Sequence, residues 1–314
     1  MDAYVYSFAG AGWRLPGLLR WDVSHGFCSP CDSFEAEFLY EPDMIGVLRS
    51  ACRFRGEWKG QCVFFGVVDD FELSVGEGGR VCTIHGRGMQ ALLLDSEAES
   101  AEYYAADTEF ILRRHVYACG LSDVDAGSYG AVAASLSVGS GESHWSVLSR
   151  FAEFCLGLRP RFSPEGRLLL DGADSGRSFV LDDSVAVTSQ RYVQDRYGVI
   201  SQALVKNRAN GAAAVTVENP EFSSIGGRSV RVVSVPRRTG FDAMRHTGSY
   251  QIKKSGEQFI RCFLTVPQCF AAFPGDRASL RASPLGIAGE FRVWSSRCFA
   301  DGRGAGTTLE LRPL

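Results

Sequence analysis

What the 314-residue sequence lacks narrows its class first. No apolar run approaches the roughly 20 residues needed to cross a bilayer as a helix, so no membrane partner is expected. The opening, MDAYVYSFAGAGW, carries Asp2 and no basic stretch, so no secretory signal is expected either. There is no dense Lys/Arg tract and no interleaving of aromatic with basic residues, which argues against general nucleic-acid affinity. A large net charge is also missing, with 33 basic residues against 36 acidic. That balance hides an asymmetry. Residues 228–314 carry 14 Lys+Arg and 6 Asp+Glu, whereas residues 1–227 carry 19 and 30. A bipolar chain suits charge-complementary contacts between unlike ends or with other proteins, and Arg292 and Arg303 are basic positions that would set register in such contacts. Ten cysteines fall singly, Cys52, Cys62, Cys82, Cys119 and Cys155 among them, many inside apolar patterns. Without a secretory signal they read as reduced thiols packing as small hydrophobes.

Complete catalytic and metal motifs are missing too. His25-x-x-Cys28-x-x-Cys31 has the spacing of three ligands on a loop, but a closed zinc site needs a fourth and no second CxxC or HxxxH pair follows. Pro30 beside a turn explains the tight loop equally well. Asp174-Ser175-Gly176 imitates a protease nucleophile, yet none of His85, His115, His144 or His246 sits in a matching motif, and a polar turn accounts for it. His115 lies on an apolar-leaning helix and reads as a packing or interface histidine. Asp69-Asp70 cannot act as facing carboxylates, because adjacent strand residues point to opposite faces. Gly86-Arg87-Gly88 could hold an anion at a helix start, but it lacks the third glycine and the βαβ context of a dinucleotide site, so a strand-to-helix corner is the plainer reading. No catalytic, cofactor-binding or metal-binding residue is assigned, and no cofactor is expected.

What is present is glycine, 35 residues of it, and strand periodicity. High glycine with little helical patterning favours many short strands and turns. The chain is organised around Gln61–Asp95. Val63 to Val68 is apolar on both faces. From Asp70 the pattern alternates, with Phe71, Leu73 and Val75 on one face and Asp70, Glu72 and Ser74 on the other. Gly76-Glu77-Gly78-Gly79 is turn chemistry, Arg80 to His85 runs back, and Met89 to Leu94 is a short helix. Before it, Tyr4–Tyr6, Gly12–Leu15 and Ser33–Tyr40 read as strands, with a turn over Gly56–Gly60. Residues 1–95 therefore predict an antiparallel sheet curled into a barrel.

Residues 96–172 predict a small α+β insertion. Asp107 caps a helix bearing Ile111, Leu112, Val116 and Cys119 and stopped by Gly120. A Gly/Ala/Ser-rich linker spans Ser122–Gly141, a loop or a weakly paired extension. Ser143 caps a helix striped by Trp145, Leu148, Ala152 and Cys155 and stopped by Gly157, and Arg161–Leu170 forms a hairpin. Residues 173–314 predict a second all-β domain. Its signals are Asn210-Gly211 between two strands, alternation over Phe259–Val266, a Pro274-Gly275-Asp276 turn, and strands Glu290–Trp294 and Thr307–Leu311 around a loop from Asp301 to Gly306.

Several stretches resemble the hub proteins of phage tail baseplates, the late control protein D type. They are "VFFGVVDDFEL" with "GRGMQALLLDSEAES", then "DTEFILRRHVYACG", "SHWSVLSRFAEFCLGLRPRFSPEGRLLL" and the ending from Pro274 to Leu314, in the family's order. The resemblance implies two tube-like β-barrels per subunit, similar to the spike bases of type VI secretion. It implies a homotrimer whose six barrels match the six-fold tail tube, with the three-fold base holding a spike. The implied partners are the tail tube protein, the spike protein and other baseplate proteins, with DNA passing through the lumen without specific binding. The implied location is the virion tail, assembled in the bacterial host cytoplasm. No lysozyme or peptidase domain is expected after the second barrel. The alternatives are a tail-associated cell-wall hydrolase or a carbohydrate-binding protein of the host surface. Trp13, Trp58, Trp145 and Trp294 fall within strand or helix patterns and read as core rather than as exposed sugar platforms.

Overall fold

The computed structural model describes residues 1–27, 31–127, 134–207, 214–236 and 239–314. It is mainly β with small helical insertions, as the sequence predicts. Packing divides the chain into two compact units: Met1–Gln190 with Phe263–Leu314, and Arg191–Cys262. These boundaries fall elsewhere than the predicted divisions at 95 and 172, because both ends of the chain enter the same sheet.

The larger unit is built on the hairpin of Gln61–Gly76 and Gly79–Gly88. Its register sets Phe71 opposite Ile84 and Leu73 opposite Cys82 and closes at Gly76 and Gly79. Gly79 has φ +104°, a conformation that a Cβ would strain. The sheet then runs, neighbour to neighbour, Gly12–Arg14, Asp2–Ser7, Ala51–Trp58, this hairpin, Ser33–Leu39, Leu18–Gly26 and the C-terminal hairpin Gly289–Asp301/Gly304–Pro313. The last junction pairs Cys298 with Val23 and Ala300 with Trp21. Inside it, Phe34 stacks on Phe54 at 3.9 Å and 9°, and Phe64 tilts against both. Two glycines make room for these rings. A Cβ on Gly86 would sit 2.4 Å from Phe34 Cε1 and 2.0 Å from the Val67 carbonyl, and one on Gly66 would sit 2.1 Å from the Arg87 carbonyl. Of the glycines predicted as a strand-to-helix corner, Gly86 is therefore strand interior, chosen for close approach rather than for turning, while Gly88 ends the strand before the turn into the helix.

Both predicted helix caps form. The Asp107 side chain accepts from Phe110 N–H at the start of Thr108–His115, and the Ser143 side chain accepts from Ser146 N–H at the start of His144–Arg150. Gly120 and Gly157 take left-handed conformations at φ +82° and +70°. From Phe151 to Leu156 the second helix widens into a π-helix, which turns both Phe151 and Ala152 into the core. The linker 122–141, expected as a loop or a weakly paired extension, pairs in two short places among the described residues. Val124–Asp125 pairs with Leu168–Leu169, and Ala134–Val138 pairs with Ala101–Ala106. Short ladders of this kind borrow their partners from distant strands and leave no period in a Gly/Ser-rich segment.

The smaller unit holds a three-stranded sheet ordered Ala214–Glu218, Gln202–Asn207, Val230–Val235. The helix Phe241–Gly256 packs on it through Met244, Thr247 and Gly248. A Cβ on Gly248 would lie 2.6 Å from Val217 Cγ2, so the glycine sets the helix–sheet distance. This helix corrects the all-β reading of 173–314. Its buried face is one methionine, one threonine and one glycine, so it shows no apolar stripe at helical spacing. Asn210-Gly211 lies outside the described residues.

Two turns are tighter than predicted. Ala51–Trp58 runs through Gly56, and the reversal is made by Lys59 and Gly60 at φ +53° and +78°. The loop predicted over Asp301–Gly306 shrinks to Gly302 and Arg303. The Asp301 carboxylate accepts from the N–H groups of Arg303 and Gly304 there, while Phe299 and Ala300 pair with Gly306 and Ala305.

Candidate assembly surface

The polar residues singled out by sequence are tied into contacts between elements of the fold. His25 is buried, with Nδ1 3.0 Å from Asp32 Oδ2 and Nε2 3.0 Å from the Val63 carbonyl. The Cys31 thiol points to the Gly88 carbonyl at 3.4 Å, and burial pushes it up to about 12, so it stays protonated. Cys28 lies outside the described residues. No group of three or more His, Cys, Asp and Glu able to hold a metal converges among the described residues.

Ser175 meets Asp276 rather than a histidine. The Asp276 carboxylate, 2% exposed, accepts from Ser175 Oγ at 2.5 Å, from Arg177 Nε at 3.1 Å and Nη2 at 2.5 Å, and from Phe273 N–H at 2.9 Å. It clamps the 174–177 turn to the predicted 274–276 turn, a pairing that spacing in sequence could not disclose.

Asp69 and Asp70 do not separate to opposite faces as expected: the register shift between Val68 and Asp70 is a bulge, and both carboxylates reach alternate residues, Arg87 and His85, on one face of the partner strand. Asp70 contacts His85 Nδ1 at 2.8 Å. Asp69 takes Arg87 in a bidentate pair at 2.7 and 2.8 Å, and Asp95 takes the same guanidinium at 2.8 and 2.7 Å. The Arg87 hydrogen bond holds the Asp95 carboxyl below the usual carboxylate range. Arg87 is thus committed to two carboxylates and is not set to receive an anion.

His115 is buried as a packing histidine. Its Nδ1 lies 2.9 Å from His144 Nδ1 and its Nε2 3.2 Å from Tyr103 Oη. Burial first, then the neighbouring His144 and Arg114, lowers its pKa to about 4. Trp294 is core, as expected, and is flanked by guanidiniums, with Arg312 3.5 Å and Arg159 4.3 Å from its ring centroid.

The features left without a role inside the fold are surfaces. The far half of the 61–88 hairpin carries Leu73 and Val75 at 38% and 78% exposure on the face that continues from the core. In the smaller unit, Val230 and Val232 line an open groove of about 660 Å³ together with Arg196, Arg228 and Arg231. Sequence alternation marked the first of these surfaces. The second had no signal in sequence, because VRVVSV reads equally well as a covered strand.

No family model and no curated protein matches the chain. Solved structures do. The tail protein from Neisseria meningitidis MC58 aligns over 99% of this chain and 96% of its own, with TM-score 0.78 at 18% identity. The 43 kDa tail protein of prophage MuSo2 from Shewanella oneidensis aligns over 100% and 98%, with TM-score 0.77 at 16% identity. The E. coli c3393 protein, a type VI secretion component similar to the T4 tail proteins gp27 and gp5, aligns over 95% and 73%, with TM-score 0.59 at 11% identity. At these identities the likeness establishes fold: the chain has the fold of phage tail proteins.

Proposed function

We propose that the chain is a structural, non-enzymatic hub of a phage or phage-like tail baseplate. The observation that carries this reading is the whole-chain match to tail proteins, which spans nearly all of both partners rather than one shared domain. Fold alone does not specify function, but the polar clusters point the same way. Each of His25/Asp32, Asp276/Arg177 and Arg87/Asp69/Asp95 is engaged in contacts that hold strands, turns and a helix end of the fold together.

In this reading the subunit contributes two tube-like modules, drawn from the strands of 1–95 and of 173–314 around the 96–172 insertion, with 191–262 packing as a unit of its own. Three copies close a ring that adapts a six-fold tail tube to a three-fold spike. The ring meets tube, spike and other baseplate proteins in a virion tail assembled in the host cytoplasm, and DNA passes through its lumen without specific contacts. Such a collar needs interfaces of standard size or larger, about 1,600 Å² or more in total.

Light scattering on the purified chain, alone and with tube and spike proteins, tests the proposal. A trimeric mass in either setting is the expected result. A mass that stays monomeric in both overturns it, and peptidoglycan zymography then decides for or against a hydrolase.

A further inference from the structure

The 61–88 hairpin outruns its neighbour. Ala51–Trp58 pairs with it only from Gln61 to Val67, so the edge from Val68 to Gly76 has no strand beside it among the described residues. That edge is acidic and apolar by turns, with Asp70 and Glu72 on one face, Leu73 and Val75 on the other, and Glu77 at the tip. In the smaller unit, among the described residues, Val230–Val235 pairs with Gln202–Asn207 on one side alone and is one of the two edge strands of its sheet. Val233 and Val235 pack with Met244 of the helix. Val230 and Val232 lie on the opposite face at 54% and 58% exposure. Beside them Arg196 and Arg228 are exposed, Arg231 is exposed on the helix side of the same edge and donates to Gln251 Oε1 at 3.1 Å, and among the described residues no Asp or Glu lines the groove.

A long apolar edge left bare invites strand addition, and folded proteins cover or charge such edges. Here one edge is charged negative and the other positive, on the same chain. We propose that the 68–76 edge of one copy adds as a strand to the 230–235 edge of a second copy. Backbone hydrogen bonds supply the pairing. Leu73 and Val75 cover Val230 and Val232, while Glu72 and Glu77 face Arg228, Arg231 and Arg196. Six residues of strand, about 20 Å, suffice for both partners. The contact is head-to-tail, so every copy uses both surfaces, and a chain of such contacts makes a closed ring when the rotation between copies closes, as the ring proposed above requires. A second copy is favoured over an unrelated protein because both complementary edges reside in this chain. This inference rests on the ring proposed above and names the surfaces that make it.

The test uses the full chain and three variants, each checked by circular dichroism. Glu72→Lys/Glu77→Lys makes the donor edge positive, Arg228→Glu/Arg231→Glu makes the acceptor edge negative, and the quadruple variant swaps both. Light scattering across concentration should show each pair variant associating about tenfold or more weakly, and the quadruple variant recovering most of that loss. Hydrogen exchange adds a readout independent of charge: amides 68–76 and 230–235 should slow in the wild-type oligomer and not in the dissociated pair variants. Pair variants that associate like wild type overturn the edge contact and leave the ring standing. A quadruple variant no better than the pairs also overturns it. Wild type that stays monomeric with tube and spike proteins overturns ring and edge contact together.

Discussion

The two units solve the same problem with different means. The larger one fills its sheet with stacked phenylalanines over glycines and clamps the margins with buried polar fasteners such as His25–Asp32 and Asp276–Arg177. The smaller one closes a three-stranded sheet with one helix over a core of Val205, Val235 and Met244, and leaves an apolar edge in water. Burial of apolar area scales with size, so the smaller unit has less to hold it and more surface to offer. The larger unit is therefore expected to carry most of the stability and the smaller one to open first.

The sharpest way to break this contrast is to empty the larger core. Phe54→Ala should cost about 3–5 kcal/mol, because the ring is fully buried and stacked on Phe34. Calorimetry should show loss of the main transition; a shift below about 1 kcal/mol would mean that the stack is not its keystone. Asp276→Ala should cost about 3 kcal/mol in the same transition, since Ser175, Arg177 and the Phe273 N–H lose one acceptor.

Acid should act on the larger unit through His115. Its folded pKa of about 4 lies below its ordinary value. The stability from keeping it neutral is therefore fully present above about pH 6.5 and is lost as pH falls from there towards 4, by about 3 kcal/mol in all. His115→Gln should flatten the pH dependence of denaturant midpoints across that window; an unchanged slope would assign acid sensitivity elsewhere. The smallest effect belongs to the smaller unit. Gly248→Val should cost about 1–3 kcal/mol by forcing the helix off Val217. Hydrogen exchange should place the loss within 191–262, and uniform loss across the chain would show that the two units unfold as one.

Residues show how far the sequence carried. The alternation of Phe71, Leu73 and Val75, the Gly79 turn and the caps at Asp107 and Ser143 are all where local chemistry put them, because each depends on neighbours within a few positions. The helix Phe241–Gly256 escaped because its buried face is polar and small. Gly86 was misread as a corner because its reason is the Phe34 ring, which stands far off in the chain. The fasteners were invisible for the same cause. Asp276 finds Ser175 101 positions away, and Arg297 finds Asp22 275 positions away.

The sequence by itself determined the mainly-β class, the long central hairpin, the helix ends and the bipolar charge, since periods of two and 3.6, turn glycines and side-chain caps act locally. Only the tertiary structure decided that the C-terminal hairpin pairs with the strand Leu18–Gly26, that 191–262 forms a unit of its own, and which strand edges stay bare. Strand pairing is non-local: any alternating strand offers the same hydrogen bonds, and the partner is selected by the packing of the whole core.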